Sequence, residues 1–187
     1  MYPDFVDEFN YQFYWFGEKN SKGLAIFVRS SIKAEKNDWE TYCLRHFISL
    51  KINDSFDLIG VWASSPYIEE YYIYQFINIE KFNNNSVIIG DFNSNAIWDK
   101  SHGKRNHSEV VKQLQKIGLC SAYHFVKKED QGNETQKTFY LYNHIDKGYH
   151  IDHCFVNENL ISNYMVLTDM KWLELSDHLP IQLVLNL

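Results

Sequence analysis

Ser176-Asp177-His178-Leu179-Pro180 stands directly before the last apolar run of the chain, Ile181 to Leu185. An aspartate and a histidine side by side at the mouth of a strand can serve a cation and an anion together. The carboxylate is a hard oxygen donor, and a protonated imidazole holds developing negative charge. The plain alternative is a loop carrying a solvated acid and a solvated histidine. Two earlier segments decide between these readings. Gly90-Asp91-Phe92-Asn93 follows the short apolar run Val87-Ile88-Ile89, and His150-Ile151-Asp152 lies inside the run Tyr149 to Val156.

If the strand at 87–89 continues, Asp91 and Asn93 project to the same side, because strand periodicity is two. A carboxylate and an amide there can hold a hard cation or a phosphate oxygen, although Gly-Asp and Asn-Ser are equally ordinary turn chemistry. Asp152 interrupts an apolar strand, where an unpaired carboxylate is costly. It therefore either faces water on an edge strand or pairs with His178, fixing the imidazole tautomer and raising its pKa. Ser176 is placed to buttress the 176–178 loop through its hydroxyl.

Taken together and in this order, Gly90-Asp91-Phe92-Asn93, His150-Ile151-Asp152 and Ser176-Asp177-His178 resemble the endonuclease/exonuclease/phosphatase family, which includes the DNase I-like nucleases. The resemblance implies an α+β fold: a four-layer αββα sandwich of two packed mixed sheets flanked by helices. It implies a Mg²⁺- or Mn²⁺-dependent hydrolase in which water attacks phosphorus in line. Asp91 would orient or deprotonate the water and share the metal with Asp177. Asn93 and His178 would hold phosphate oxygens, Asp152 would orient His178, and His150, on the face of Asp152, would touch phosphate. Nucleic acid is the first substrate implied. A phosphatase acting on small or lipid phosphates is the alternative, as is a weakened or inactive remnant.

The resemblance begins near Tyr14-Trp15-Phe16-Gly17 and Gly23-Leu24-Ala25-Ile26-Phe27 and runs through the rest of the chain. The family's opening strand with its Asn, and the next strand ending in a metal-binding Glu, have no counterpart, so the reading is of an N-terminally truncated member. Weak metal binding follows, with Glu18, Asp7 or Glu8 as poorly matched substitutes. So does exposed apolar surface, covered either by the aromatic segment 1–16 or by a second copy of the chain in a homo-oligomer.

Bulk properties narrow the setting. The 187 residues, 45% hydrophobic and 17% aromatic, suit one domain spanning 1–187 with a sizeable core. A net charge of -6 excludes nucleic-acid binding by bulk charge and leaves local or metal-assisted contact. Cys43, Cys120 and Cys154 are three and widely spaced, which speaks for reduced thiols in a cytoplasm rather than a disulfide framework. No run reaches the ~18 apolar residues of a membrane span.

Strands are expected at Gly23 to Val28, Phe47 to Ile52, Phe56 to Ala63, Val87 to Ile89, Ser121 to Phe125, Thr138 to Tyr142, Tyr149 to Val156, Tyr164 to Leu167 and Ile181 to Leu185. One helix is expected from Ser65-Pro66 to Phe82, with Ile68, Tyr72, Phe76 and Ile79 as its apolar stripe. A second is expected over 107–117, opened by Asn106 and stopped by Gly118. His102, His107, His124 and His153 lack metal-site spacing and read as packing or loop residues. Lys104-Arg105 is too small a basic patch to carry an argument.

Overall fold

The protein is described by a computed structural model covering residues 10–19 and 21–187. It opens with strands β1 (Tyr11–Lys19), β2 (Lys22–Arg29), β3 (Ala34–Lys36), β4 (Phe47–Ile52) and β5 (Phe56–Trp62). Helix α1 (Ile68–Ile77) leads to β6 (Ser86–Asp91), and α2 (Asp99–His102) and α3 (His107–Lys116) follow. Then come β7 (Cys120–Ser121), α4 (Ala122–Lys127), β8 (Phe139–Tyr140), β9 (Gly148–Tyr149) and β10 (Asp152–Val156). The chain closes with β11 (Ile161–Val166) and β12 (Ile181–Leu185).

The central sheet has six strands in the order β3-β4-β5-β6-β10-β7. Only β5 and β6 run parallel, and α1 makes the crossover that a parallel pair needs. Strand periodicity then creates two apolar faces. On one, Ile59, Val61, Ile88 and Phe155 meet Ile68, Tyr71 and Tyr74 of α1 and Val110 and Leu114 of α3. On the other, Ile48, Leu50, Val87, Cys154 and Val156 meet a second β layer made of two hairpin ribbons. The β1–β2 ribbon contributes Tyr14, Phe16, Leu24 and Ile26, and the β11–β12 ribbon contributes Tyr164, Val166 and Leu183. The result is an α+β sandwich with sheet packed on sheet and helices outside, as the sequence leads one to expect.

The aromatic start of the chain is partly accounted for. Tyr14 and Phe16 pack into the second core, while residues 1–9 of the segment expected to cover exposed surface lie outside the described residues, as do Asp7 and Glu8. Among the described residues no helix is long and apolar enough to cross a membrane.

Several local expectations need correction. Helix α1 begins at Ile68 with Tyr67 as its flanking residue, so Ser65 and Pro66 precede it rather than cap it. Its buried face is Ile68, Glu70, Tyr71, Tyr74 and Gln75, whereas Phe76, in the expected stripe, is 67% exposed. Aromatic partners chose that face: Tyr74 stacks on Phe47 at 4.3 Å and Tyr71 meets Phe92 at 4.6 Å. Buried Glu70 is satisfied by the backbone N–H of Arg45 and by the N–H and hydroxyl of Ser64, which pins the β5–α1 loop. The segment expected as a strand from Ser121 to Phe125 is helix α4 after a two-residue pairing. The expected strand Tyr149 to Val156 is broken at His150-Ile151 into β9 and β10. Helix α3 matches expectation, with Asn106 Oδ1 accepting from the Glu109 N–H and Gly118 at φ 83° beyond its end.

Candidate active site

Asp91 is the last residue of β6 and Asp152 the first of β10, and the antiparallel register sets them directly opposite each other. Two like charges facing across a ladder repel. Burial first, and the Asp152 charge second, push the Asp91 carboxyl up to about 7, against the pull of the Asn93 N–H and of His178. The site thus holds a carboxyl group poised near neutrality, the range suited to proton transfer.

His178 answers part of that repulsion. Its Nδ1 lies 2.9 Å from Asp152 Oδ2. An ionised carboxylate only accepts, so Nδ1 carries the proton and donates, leaving Nε2 as the free face of the ring. Burial opposes charge on the imidazole, but the Asp152 hydrogen bond and the charges of Asp152, Asp91 and Asp177 outweigh it and raise the pKa. The Ser176 hydroxyl accepts from the His178 N–H at 3.0 Å, which is the buttress expected of it. Phe139 packs on the ring at 4.7 Å. Asp91, Asp152 and His178 line one open cavity of about 560 Å³, walled also by Trp62 and Trp172. Asp177 is exposed and does not line the cavity, although its neighbours Ser176 and His178 do, and its charge is felt at both Asp91 and His178.

Two sequence-based assignments change. The strand does not continue to Asn93, which turns left-handed at φ 46°. Its N–H donates to Asp91 Oδ1 at 2.7 Å, and its side-chain amide donates to Asp91 Oδ2 at 2.8 Å and to the Ala63 carbonyl at 3.1 Å. Both amide hydrogens are therefore spent on protein, and Asn93 positions Asp91 rather than offering a donor to phosphate. His150 is not a phosphate contact either. It is 1% exposed, donates from Nδ1 to the Gln136 carbonyl at 2.8 Å, and packs on Tyr123 at 4.3 Å. The break before β10 removes it from the strand and turns it into the core.

Thr138 was missed at the sequence level because nothing marks a lone threonine as a junction. It is fully buried. Its hydroxyl accepts from the N–H groups of Ile151 and Asp152, both at 3.0 Å, and its carbonyl accepts from Leu179 N–H at 2.7 Å. One residue thus ties the Asp152 strand to the His178 loop. Asn95 orders its loop as expected, donating to Glu134 and to the His150 carbonyl.

Behind this loop lies a stack of buried imidazoles. His153 meets His107 at 4.6 Å and His150 at 5.1 Å. Each uses one ring nitrogen, on Ser94 O, Gln131 Oε1 and Gln136 O respectively for His153, His107 and His150, and the other nitrogen has no partner. Burial lowers all three pKa values, His107 to about 4. The unfolded chain protonates His107 near 6.5 while the folded chain resists until about 4, so stability falls as pH drops through that window. The expected loss at pH 4 is about 3 kcal/mol from His107 alone. Asp91, with its raised pKa, acts in the opposite sense on acidification, so the measurement is urea unfolding of Asp91→Asn at pH 7.5 and pH 4. Equal stability at the two pH values would contradict the buried stack.

The cation expected at Asp91 and Asp177 meets an open donor set. Among the described residues no three His, Cys, Asp or Glu side chains form a metal cage. Glu18, offered as a substitute ligand, is engaged with Arg45. What the site does hold is a carboxyl group that burial first, and the opposing carboxylate second, push toward neutrality, with exposed Asp177 next to His178 in the chain. That arrangement fits a hard, largely hydrated cation such as Mg²⁺, which takes one or two carboxylates and completes its shell with water and phosphate oxygens.

A second cavity of about 430 Å³ opens beside Asn93, with Tyr67, Trp98, Phe139 and Tyr149 in its walls.

No protein-family profile matches the chain, and no curated protein matches it by sequence. Solved structures do resemble it. The 3′ phosphatase NExo from Neisseria, bound to a product DNA hairpin, superposes with a TM-score of 0.68 at 17% identity, covering 98% of this chain and 82% of that one. The endonuclease domain of TRAS1, a telomere-specific non-LTR retrotransposon, gives 0.59 at 17% identity over 92% and 76%. The mannosyl-6-phosphatase Bt3783 of Bacteroides thetaiotaomicron gives 0.56 at 19% identity over 95% and 78%. At such identities the likeness establishes the fold.

Proposed function

We propose that this chain, which has the DNase I-like sandwich fold of those phosphoesterases, is a metal-dependent phosphodiesterase acting on nucleic acid. The observation that carries the reading is the juxtaposition of Asp91 and Asp152 across β6 and β10, with His178 bonded to Asp152 in the same cavity. Bound at Asp91 and Asp177, Mg²⁺ or Mn²⁺ would neutralise charge on the phosphate and its leaving oxygen. The chain's own groups do the rest. Asn93 holds both carboxylate oxygens of Asp91, and Asp91 takes a proton from the attacking water. Asp152 fixes His178 with the proton on Nδ1, so that Nε2 faces the cavity and, when protonated, holds a phosphate oxygen.

Nucleic acid is favoured over a small phosphate ester by the aromatic cavity beside Asn93. Its four rings suit a base or sugar face, since stacking on aromatic side chains is how unpaired bases are commonly held. The open donor set favours a second reading, a member of this fold with weakened catalysis.

The test is nicking of supercoiled plasmid with Mg²⁺, with Mn²⁺ and with EDTA, beside Asp177→Ala. Metal-dependent nicking reduced about 100-fold or more in the variant is expected. Nicking that equals the variant's in every condition would reject the nuclease reading, and release of inorganic phosphate from small esters under the same conditions would replace it with phosphatase activity.

A further inference from the structure

A cavity of about 420 Å³ adjoins the Asp91 cavity and shares Trp62 with it as a wall. Its lining is unusual for a chain with a net charge of -6: Lys19, Lys22 and Arg45 converge there, with Glu18 the one acid among the described residues. Glu18 is taken by the Arg45 guanidinium. Among the described residues, Lys19 and Lys22 have no carboxylate partner, and the Lys22 ammonium sits over the Trp62 ring at 5.4 Å. Ser64 and Ser65 complete the wall with hydroxyls.

The floor is rigid. The His46 ring packs on Trp62 at 4.3 Å, and its carbonyl accepts from the Trp62 N–H at 3.0 Å. His46 is buried, and its Nδ1 has no partner among the described residues. Buried Glu70 accepts from the Arg45 N–H and the Ser64 N–H, so the two sides of the cavity are pinned to one carboxylate. The position is fixed as well, because Trp62 and Asp91 are register partners on adjacent parallel strands. The two cavities therefore meet at Trp62, beside the strand end that carries Asp91.

Resting on the phosphodiesterase reading of the Asp91 cavity, we infer that this cationic cavity takes the phosphate next to the scissile one. The preferred substrate is then a strand with at least two consecutive phosphates, rather than an ester with a single phosphate. Lys19 and Lys22 supply the charge, Arg45 the directed donors left over from Glu18, and Ser65 a neutral hydroxyl.

The experiment compares the wild-type chain with Lys19→Ala/Lys22→Ala and with the charge-preserving Lys19→Arg/Lys22→Arg. Binding of a fluorescein-labelled single-stranded oligonucleotide is followed by anisotropy in EDTA, which requires no catalysis. The alanine pair should weaken binding about tenfold and lower the slope of log Kd against log salt by about 0.7, one phosphate contact on a single strand. The arginine pair should restore both. In the presence of Mg²⁺, the alanine pair should raise KM for the oligonucleotide, with bis(p-nitrophenyl) phosphate, which has one phosphate, losing far less. An unchanged Kd and salt slope would overturn the inference, as would equal losses on the two substrates. If the wild type cleaves neither substrate yet binds the oligonucleotide through these lysines, the catalytic reading fails and the phosphate cavity stands.

Discussion

Gly90→Ala is expected to leave the chain unfolded or nearly so. Gly90 sits in the middle of the central sheet at φ 147°, a conformation that residues with a Cβ rarely adopt. A Cβ built there would lie 1.9 Å from the Val61 carbonyl oxygen and 2.8 Å from the carbon of the same peptide. Val61 is its register partner on β5, so the clash is with backbone that cannot swing aside. Relief requires β5 and β6 to part where Ile59, Val61 and Ile88 seal the helical core. Loss of more than about 4 kcal/mol is expected, enough to remove most of an ordinary domain's stability. Circular dichroism and urea unfolding of the variant give the answer, and a stability within about 1 kcal/mol of wild type would refute the argument.

Asp152→Asn should leave the fold nearly intact and lower kcat by roughly 100- to 1000-fold. Two effects act together. The asparagine no longer dictates which ring nitrogen of His178 carries the proton, and it removes the charge that raises the His178 pKa. It also removes the like charge opposite Asp91, so the Asp91 pKa falls from about 7. A required imidazolium is active below its pKa and a required carboxylate above its own. Both limbs of the rate profile should therefore move to lower pH, and the double variant with His178→Ala should lose little beyond His178→Ala alone. A variant whose pH profile matches wild type would show that Asp152 does no more than fill space.

The sandwich, and the meeting of Asp91, Asp152 and His178 at one cavity, were legible in the sequence because their signals were independent of tertiary detail. Asp91, Asp152 and His178 each abut an apolar run, and burying such a residue demands a partner. What failed was whatever the surroundings decide. In Ile68 to Ile77 seven of ten positions are apolar or aromatic, and two of the three polar ones, Glu70 and Gln75, lie on the buried face, so periodicity alone does not select it. The choice of Tyr71 and Tyr74 belongs to Phe47 and Phe92, which lie far away in the chain. Asn93 looked like a phosphate donor because its hydrogen bonds to Asp91 arise from a left-handed residue that no spacing announces. His150 looked like a site residue because strand alternation was extended across a break that Thr138 creates by bonding to Ile151 and Asp152.

The register of β6 against β10 has a kinetic consequence. Asp91 and Asp152 become neighbours only when β10 inserts between β6 and β7, joining segments from distant parts of the chain. Such a pairing incurs the loop-closure entropy of everything between and tends to form late. Under the proposed activity, recovery of cleavage after dilution from urea should accordingly lag behind recovery of the helical signal from α1 and α3, and would time the arrival of β10.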